Sequence, residues 1–182
     1  MQVWHGAVRL CHWLLATLVL FNLFNDTGPT HRYAGYVAAL TVCLRLAYGL
    51  SRPRGDFAHV GLPTPSLLKQ HLLDLNAGQV HRSLGHNPAG MIMAWFLWLL
   101  VLALGVSGWM TQLDAYWGED WVIDMHEAIA WVLQGCILIH WTGVVVMSRL
   151  QKENLVRAMI TGQKMPSKGT WQRKFSSAAV IG

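Results

Sequence analysis

Four of the nine histidines in this 182-residue chain lie within, or at the ends of, long apolar stretches. They are His12, His31, His126 and His140. Ionisable side chains are costly inside a hydrophobic segment, so their presence there points to a function. His126 and His140 are fourteen residues apart on one stretch, which in an α-helix is about 21 Å and nearly four turns. The two imidazoles would therefore share one helix face at two different depths.

The depth of each histidine pairs it with a partner on another stretch. His31 lies at the end of the bundle that holds His126, and His12 lies at the end that holds His140. Two imidazoles that face each other at one depth can fill both axial positions of a haem iron, and such a haem carries electrons rather than binding a substrate at iron. The sequence thus predicts an outer haem between His31 and His126 and an inner haem between His12 and His140. Small residues near these histidines would give the porphyrins room; they are Gly35, Gly105, Gly108 and Gly143.

Other interpretations of the same residues stay open. A histidine in an apolar helix can be a satisfied polar residue at a helix contact. Zinc or copper could be bound by histidine alone, although no Asp, Glu or Cys joins either pair convincingly. The stretch Gly105-Val106-Ser107-Gly108 could serve only to let two helices approach closely.

Two further polar side chains could contact a cofactor at the end of the bundle that holds His12 and His140. Arg45 lies late in the second apolar stretch. Its guanidinium could grip a haem propionate through two parallel hydrogen bonds, or it could extend its charge to the membrane surface. His86 lies just before the third stretch. It could contact a propionate, line a quinone site, replace His12 as the partner of His140, or cap the helix at the interface.

The elements that position these residues are four apolar stretches, each long enough for a membrane-spanning helix of about 20 residues. They cover about 10–24, 31–50, 88–110 and 121–147, and residues 66–73 predict a short amphipathic helix between the second and the third. The composition agrees, because 53% of the residues are hydrophobic and only 13% are charged, against about 25% charged in soluble domains. We therefore expect an all-α integral membrane four-helix bundle over residues 1–164, followed by a flexible tail over 165–182.

The basic residues indicate the orientation in the bilayer. They flank the apolar stretches, so we interpret them as topology signals and expect no nucleic-acid partner. Twelve would lie on one side: Arg9, Arg52, Arg54, Lys69, Arg82, Arg149, Lys152, Arg157, Lys164, Lys168, Arg173 and Lys174. Only Arg32 would lie on the other. This asymmetry predicts a multi-pass protein of the bacterial inner membrane, with both termini cytoplasmic.

The outer loop before the last helix is acidic. It carries Asp114, Glu119, Asp120 and Asp124 and no Lys or Arg. A negative surface steers a basic protein partner toward it and slows the approach of an anion. This loop therefore favours a cationic redox partner over a small anionic substrate such as superoxide.

The order and spacing of several motifs resemble the bacterial b-561 type of cytochrome b, which includes the b-type subunits of nickel–iron hydrogenases. The motifs are WHGAVRLCHW at 4–13, HRYAGY at 31–36, RLAYG at 45–49, GHNPAG at 85–90, the stretch from His126-Glu127 to His140, and residues 154–162. The resemblance covers about residues 4–164. It implies that the first, second and fourth spanning helices ligate two b haems, which gives the same pairing as the depth argument.

The resemblance and the acidic loop together favour one function and leave two others open. We expect a cytochrome that passes electrons between the quinone pool, as ubiquinone or menaquinone, and a periplasmic c-type cytochrome. A superoxide oxidase coupled to quinone reduction is one alternative, so whether the chain is an enzyme stays open. The other alternative is the membrane anchor of a larger complex such as a hydrogenase.

Overall fold

The computed structural model describes residues 3–78 and 87–164. The helices in these ranges are α1 (Gly6–Phe24), α2 (Gly28–Leu50), α3 (Pro65–Asn76), α4 (Pro88–Met110), α5 (Asp120–Leu150) and α6 (Leu155–Thr161). Four of them, α1, α2, α4 and α5, are long and apolar enough to cross a membrane. The predicted fold class is thereby confirmed as helical with four candidate spans. Residues 165–182 lie outside the described ranges, so the flexible tail stays a prediction.

The helix boundaries follow local capping chemistry. The third span begins and ends where the sequence predicts it. At its start the Asn87 side chain accepts a hydrogen bond from Gly90 N at 2.6 Å. Pro88 occupies the first turn, where no helical hydrogen bond needs its missing N–H. The second span starts earlier than expected, at Gly28, because Pro29 continues into its first turn instead of ending the preceding turn. The last span, of 31 residues, is about 46 Å long, so it exceeds the roughly 30 Å hydrocarbon core of a bilayer.

The four long helices pack in the order α1, α2, α4 and α5, each mainly on the next. The shared core is small and is formed by Ala38, Val42, Val60, Trp98, Val101 and Leu133. Many large apolar side chains point outward instead; Phe24 is 91% exposed and Trp131 is 70% exposed. Water would make such a continuous apolar surface unfavourable, whereas lipid covers it.

The described ends of the chain lie together at what we call the inner end of the bundle. Val3 N and Trp4 N donate to Gly162 O at 2.8 and 3.1 Å, which ties the segment before α1 to the end of α6. The loop after α2 also joins this end, because Trp95 Nε1 donates to Val60 O at 3.0 Å. The opposite, outer end holds the connections at 25–27 and 111–119. The first and last described residues thus share one end of the bundle, as the predicted topology requires.

Candidate cofactor site

The outer histidines come together as the sequence predicts. His31 begins the second turn of α2 and His126 lies near the start of α5; their ring centres are 6.1 Å apart and the ring planes are inclined by 71°. Bonds between a metal and an imidazole nitrogen are about 2 Å long, so two rings on opposite sides of one metal have centres about 6 Å apart. The observed spacing therefore fits a pair of axial ligands.

The hydrogen bond of His31 leaves one ring nitrogen free for a metal. Its Nδ1 lies 2.7 Å from the carbonyl oxygen of Asn25, in the turn between α1 and α2. A carbonyl oxygen only accepts, so the proton is on Nδ1 and Nε2 keeps its lone pair. Metal-binding histidines almost always donate their second ring N–H in this way.

His126 is held in the same protonation state by a different group. Its Nδ1 lies 2.8 Å from Ser107 Oγ. The Ser107 hydroxyl lies 3.3 Å from Leu104 O, to which it can donate; a lone pair on its oxygen can then accept the Nδ1 proton of His126. Both outer imidazoles therefore leave Nε2 available.

A cleft between α1, α2, α4 and α5 borders the outer pair, with a cavity volume of about 90 Å³. Its walls are almost entirely apolar, apart from the two imidazoles, Asn22 and Arg32. The buried Oδ1 of Asn22 has no hydrogen-bond partner among the described residues. A mostly apolar lining with a few convergent polar groups is typical of a small-molecule or cofactor pocket.

The glycines near the cleft have different roles. A Cβ added to Gly105 would lie 2.9 Å from the Cβ of Ala39, so this glycine allows α4 to approach α2 closely. A Cβ on Gly108 would lie 3.3 Å from His126 Cε1, so that glycine makes room for the imidazole. Near Gly143 an added Cβ would meet nothing within 4 Å. Gly105 therefore lets two helices approach closely, which was one interpretation of the sequence, whereas Gly143 has open space beside it.

The inner histidines lie on helices at opposite ends of the packing order. His12 on α1 and His140 on α5 are both partly buried, and they are near enough to interact electrostatically. The buried Nδ1 of His12 has no hydrogen-bond partner among the described residues. Because a buried polar group without a partner is costly, this orphaned nitrogen is consistent with a ligand that the protein chain does not supply.

Arg45 does not extend to the surface. Its side chain is 5% exposed, its guanidinium lies 5.5 Å from the centre of the Trp98 ring, and its buried Nη1 has no hydrogen-bond partner within residues 3–78 and 87–164. A Cβ on Gly49 would overlap this nitrogen, so the glycine makes room for it. A buried guanidinium with a free N–H is suited to an anion such as a carboxylate.

His86 lies outside the described residues, so its proposed roles stay predictions. Among the residues that are described, no group of three or more His, Cys, Asp or Glu side chains could hold a metal ion. The histidines are instead arranged in pairs, which suits axial ligation better than a zinc or copper centre built from protein side chains alone.

Ser107 is the polar contact that the sequence analysis missed. The sequence pattern identifies Ser107 only as a small residue in a stretch that begins and ends with glycine. Its depth could have revealed it: Ser107 lies three residues before the outer end of α4, and His126 lies six residues into α5 from the same end. The rotation of the two helices about their axes, which brings these side chains face to face, could not be obtained from spacing.

One comparison with known families identifies the family of this chain. The family model described as prokaryotic cytochrome b561 matches residues 3–162. Searches among curated proteins and among solved structures give no match. The matched range contains all four long helices and both histidine pairs. The chain therefore belongs to the prokaryotic cytochrome b561 family, whose members are membrane proteins of electron transport that bind haem b.

Proposed function

We propose that this protein holds two b haems, one in each histidine layer, and passes electrons between a membrane quinone and a redox protein on the periplasmic side. The observation that carries the proposal is the outer pair, in which two imidazoles 6.1 Å apart both have their Nδ1 proton bound by other groups. His12 and His140 are expected to hold a second haem in the same way, nearer the inner end of the bundle. Haem supplies one-electron chemistry at each level.

Five polar residues of the bundle have roles in this scheme. His31 and His126 would hold the outer haem, and His12 and His140 the inner one. Arg45 would bind an inner propionate, because its guanidinium is buried at the inner end with a free N–H. With both axial positions filled by the protein, neither iron is left open to a substrate. The chain thus favours transfer of electrons between carriers over chemistry at the metal.

The outer surface favours a cationic protein partner. Asp114, Glu119, Asp120 and Asp124 are all exposed at the outer end. Arg32, the basic residue predicted at this end, donates a hydrogen bond to Gln112 Oε1. The result is a negative face above the outer haem site, which attracts a basic c-type cytochrome and repels superoxide. We therefore propose electron transfer to a c-type cytochrome ahead of superoxide oxidation.

The first expected result is two non-covalent protohaems per chain. It follows from the two histidine layers and from the absence of a C-x-x-C-H attachment motif in the sequence. A pyridine haemochrome assay on the purified protein, combined with quantitative amino-acid analysis, measures the ratio. Extraction into acidified organic solvent should remove all of the haem. One haem per chain would rule out the two-layer arrangement.

The second expected result concerns orientation. Twelve basic residues on the inner side against Arg32 on the outer side predict that the inner end faces the cytoplasm. A fluorescent protein fused after residue 182 should be bright, and alkaline phosphatase fused there should be inactive. Phosphatase fused after Asp114 serves as the control and should be active. The reverse pattern would place the acidic face in the cytoplasm and remove the basis for a periplasmic partner.

A further inference from the structure

Helix α4 supplies no histidine, yet it makes a polar contact with the outer site. Ser107 is 1% exposed, and its hydroxyl lies 2.8 Å from His126 Nδ1. The same oxygen donates to Leu104 O at 3.3 Å. A serine hydroxyl has one proton and two lone pairs, so when it donates to Leu104 O it is the acceptor for the imidazole N–H. The Ser107 hydroxyl therefore connects the His126 ring to the backbone of α4.

We propose that Ser107 is a positioning residue, which fixes the rotation and the tautomer of His126 and lowers the reduction potential of the outer haem. This inference rests on the proposed role of His126 as an axial ligand. A hydrogen bond donated from Nδ1 makes Nε2 a stronger electron donor, and a stronger donor favours ferric over ferrous iron. The same bond maintains the 71° inclination between the rings of His31 and His126.

The two outer ligands differ in how their orientation can be changed. His31 donates to the carbonyl of Asn25, a backbone group that no substitution removes. His126 donates to a side chain, so one substitution removes its partner while leaving the imidazole in place. Gly108 adjoins the same ring, with the position of an added Cβ 3.3 Å from His126 Cε1, so no side chain at this position holds the ring once the hydroxyl is gone. Ser107 is therefore the residue of α4 through which the orientation of this ligand can be tested.

The experiment compares Ser107→Ala, Ser107→Thr and a matched control in the purified haem-loaded protein. Thr41→Ala is the control, because Thr41 is also buried, at 5% exposed, and its hydroxyl donates to the helix carbonyl of Val37 at 2.7 Å. Three quantities are measured for each haem: the midpoint potential, the ferric electron paramagnetic resonance spectrum, and the rate of haem loss to an apoprotein acceptor. The inner haem in each sample reports whether the bundle is intact.

We expect Ser107→Ala to raise the midpoint potential of the outer haem and to shift the largest g value of its ferric spectrum. Its haem loss should become about 10–100-fold faster, the usual effect of removing such a partner from a metal-bound histidine. Ser107→Thr keeps a hydroxyl and should restore all three quantities toward those of the unmodified protein. Thr41→Ala should leave the outer haem unchanged, and the inner haem should stay unchanged in every variant.

Unchanged potential, spectrum and haem loss in Ser107→Ala would overturn the role of Ser107 while leaving the proposed function intact. If Ser107→Ala loses the outer haem outright, the Ser107→Thr variant decides. Binding of the outer haem by Ser107→Thr supports the role of the hydroxyl, and loss of the haem in this variant too contradicts it. The proposed function has a separate test. If His126→Ala retains the outer haem with its original spectrum, the assignment of the ligand fails, whatever Ser107 does.

Discussion

Replacing His126 by alanine should lower the haem content from two per chain to one, with the outer haem lost and the inner haem retained. His140→Ala should give the opposite loss. Each imidazole is one of two axial ligands, so its removal leaves a weakly held five-coordinate haem or an empty site. The retained haem should keep its own potential, because the two layers are about 21 Å apart along α5. Pyridine haemochrome assays and redox difference spectra identify which haem remains.

Glu127→Gln is the matched control for these variants. Glu127 is exposed and adjacent to His126 on α5, so its substitution changes the same helix without removing a ligand, and both haems should remain. His12→Ala and His86→Ala test the inner partner. If His12→Ala left both spectra intact while His86→Ala abolished the inner haem, the inner ligand would come from the segment before α4 instead of from α1.

Removing the negative charges of the outer face should slow electron transfer to a cationic c-type cytochrome by about tenfold or more at low salt. The four exposed carboxylates between residues 114 and 124 face that side, beside Asp26 in the turn before α2. Electrostatic steering of this kind raises association rates by about 10–10³. In the unmodified protein the rate should fall steeply with ionic strength, because exposed charges are screened beyond about 8–10 Å at 0.1–0.15 M salt. The variant in which all four become Asn or Gln should show a flatter salt dependence.

Stopped-flow oxidation of the reduced protein by the cytochrome measures this rate. A paired control separates the outer face from net charge: Asp114→Asn with Glu119→Gln removes two outer charges, whereas Asp74→Asn with Glu153→Gln removes two charges of the same types at the inner end. Only the outer pair should slow the reaction. Near diffusion-limited haem reduction by superoxide in the unmodified protein, with no reaction toward the cytochrome, would reverse the order of the two proposed functions.

Hydropathy and helix periodicity were sufficient to predict the four spans. Each span must satisfy its own backbone hydrogen bonds within lipid, so a long apolar stretch has little choice but to be helical. Depth along a helix also follows directly from residue number. For this reason the pairing of His31 with His126 was predicted before the structure showed the two rings 6.1 Å apart.

Local signals predicted the minor elements less completely. The amphipathic helix α3 is longer than expected at both ends; at its N-terminal end Thr64 and Pro65 provide the cap and first turn. The seven-residue helix α6 was not predicted as a helix. Five of its seven residues are apolar, but the segment is short. It is stabilised by contacts that are distant in sequence, such as the bonds from Val3 and Trp4 to Gly162.

The sequence by itself determined which residues lie in the bundle and at what depth, because rise per residue and hydropathy are properties of a single helix. Beyond the pairing of the outer histidines, only the tertiary structure decided which of them touch. The Ser107 hydroxyl meets His126, Gly105 brings α4 against Ala39, and the guanidinium of Arg45 is buried beside Trp98. Each of these contacts depends on how neighbouring helices are rotated about their axes. That rotation is set by the packing of side chains from several helices at once. The apolar pattern of one helix specifies the rotation only weakly, because lipid on one side and neighbouring side chains on the other are both apolar.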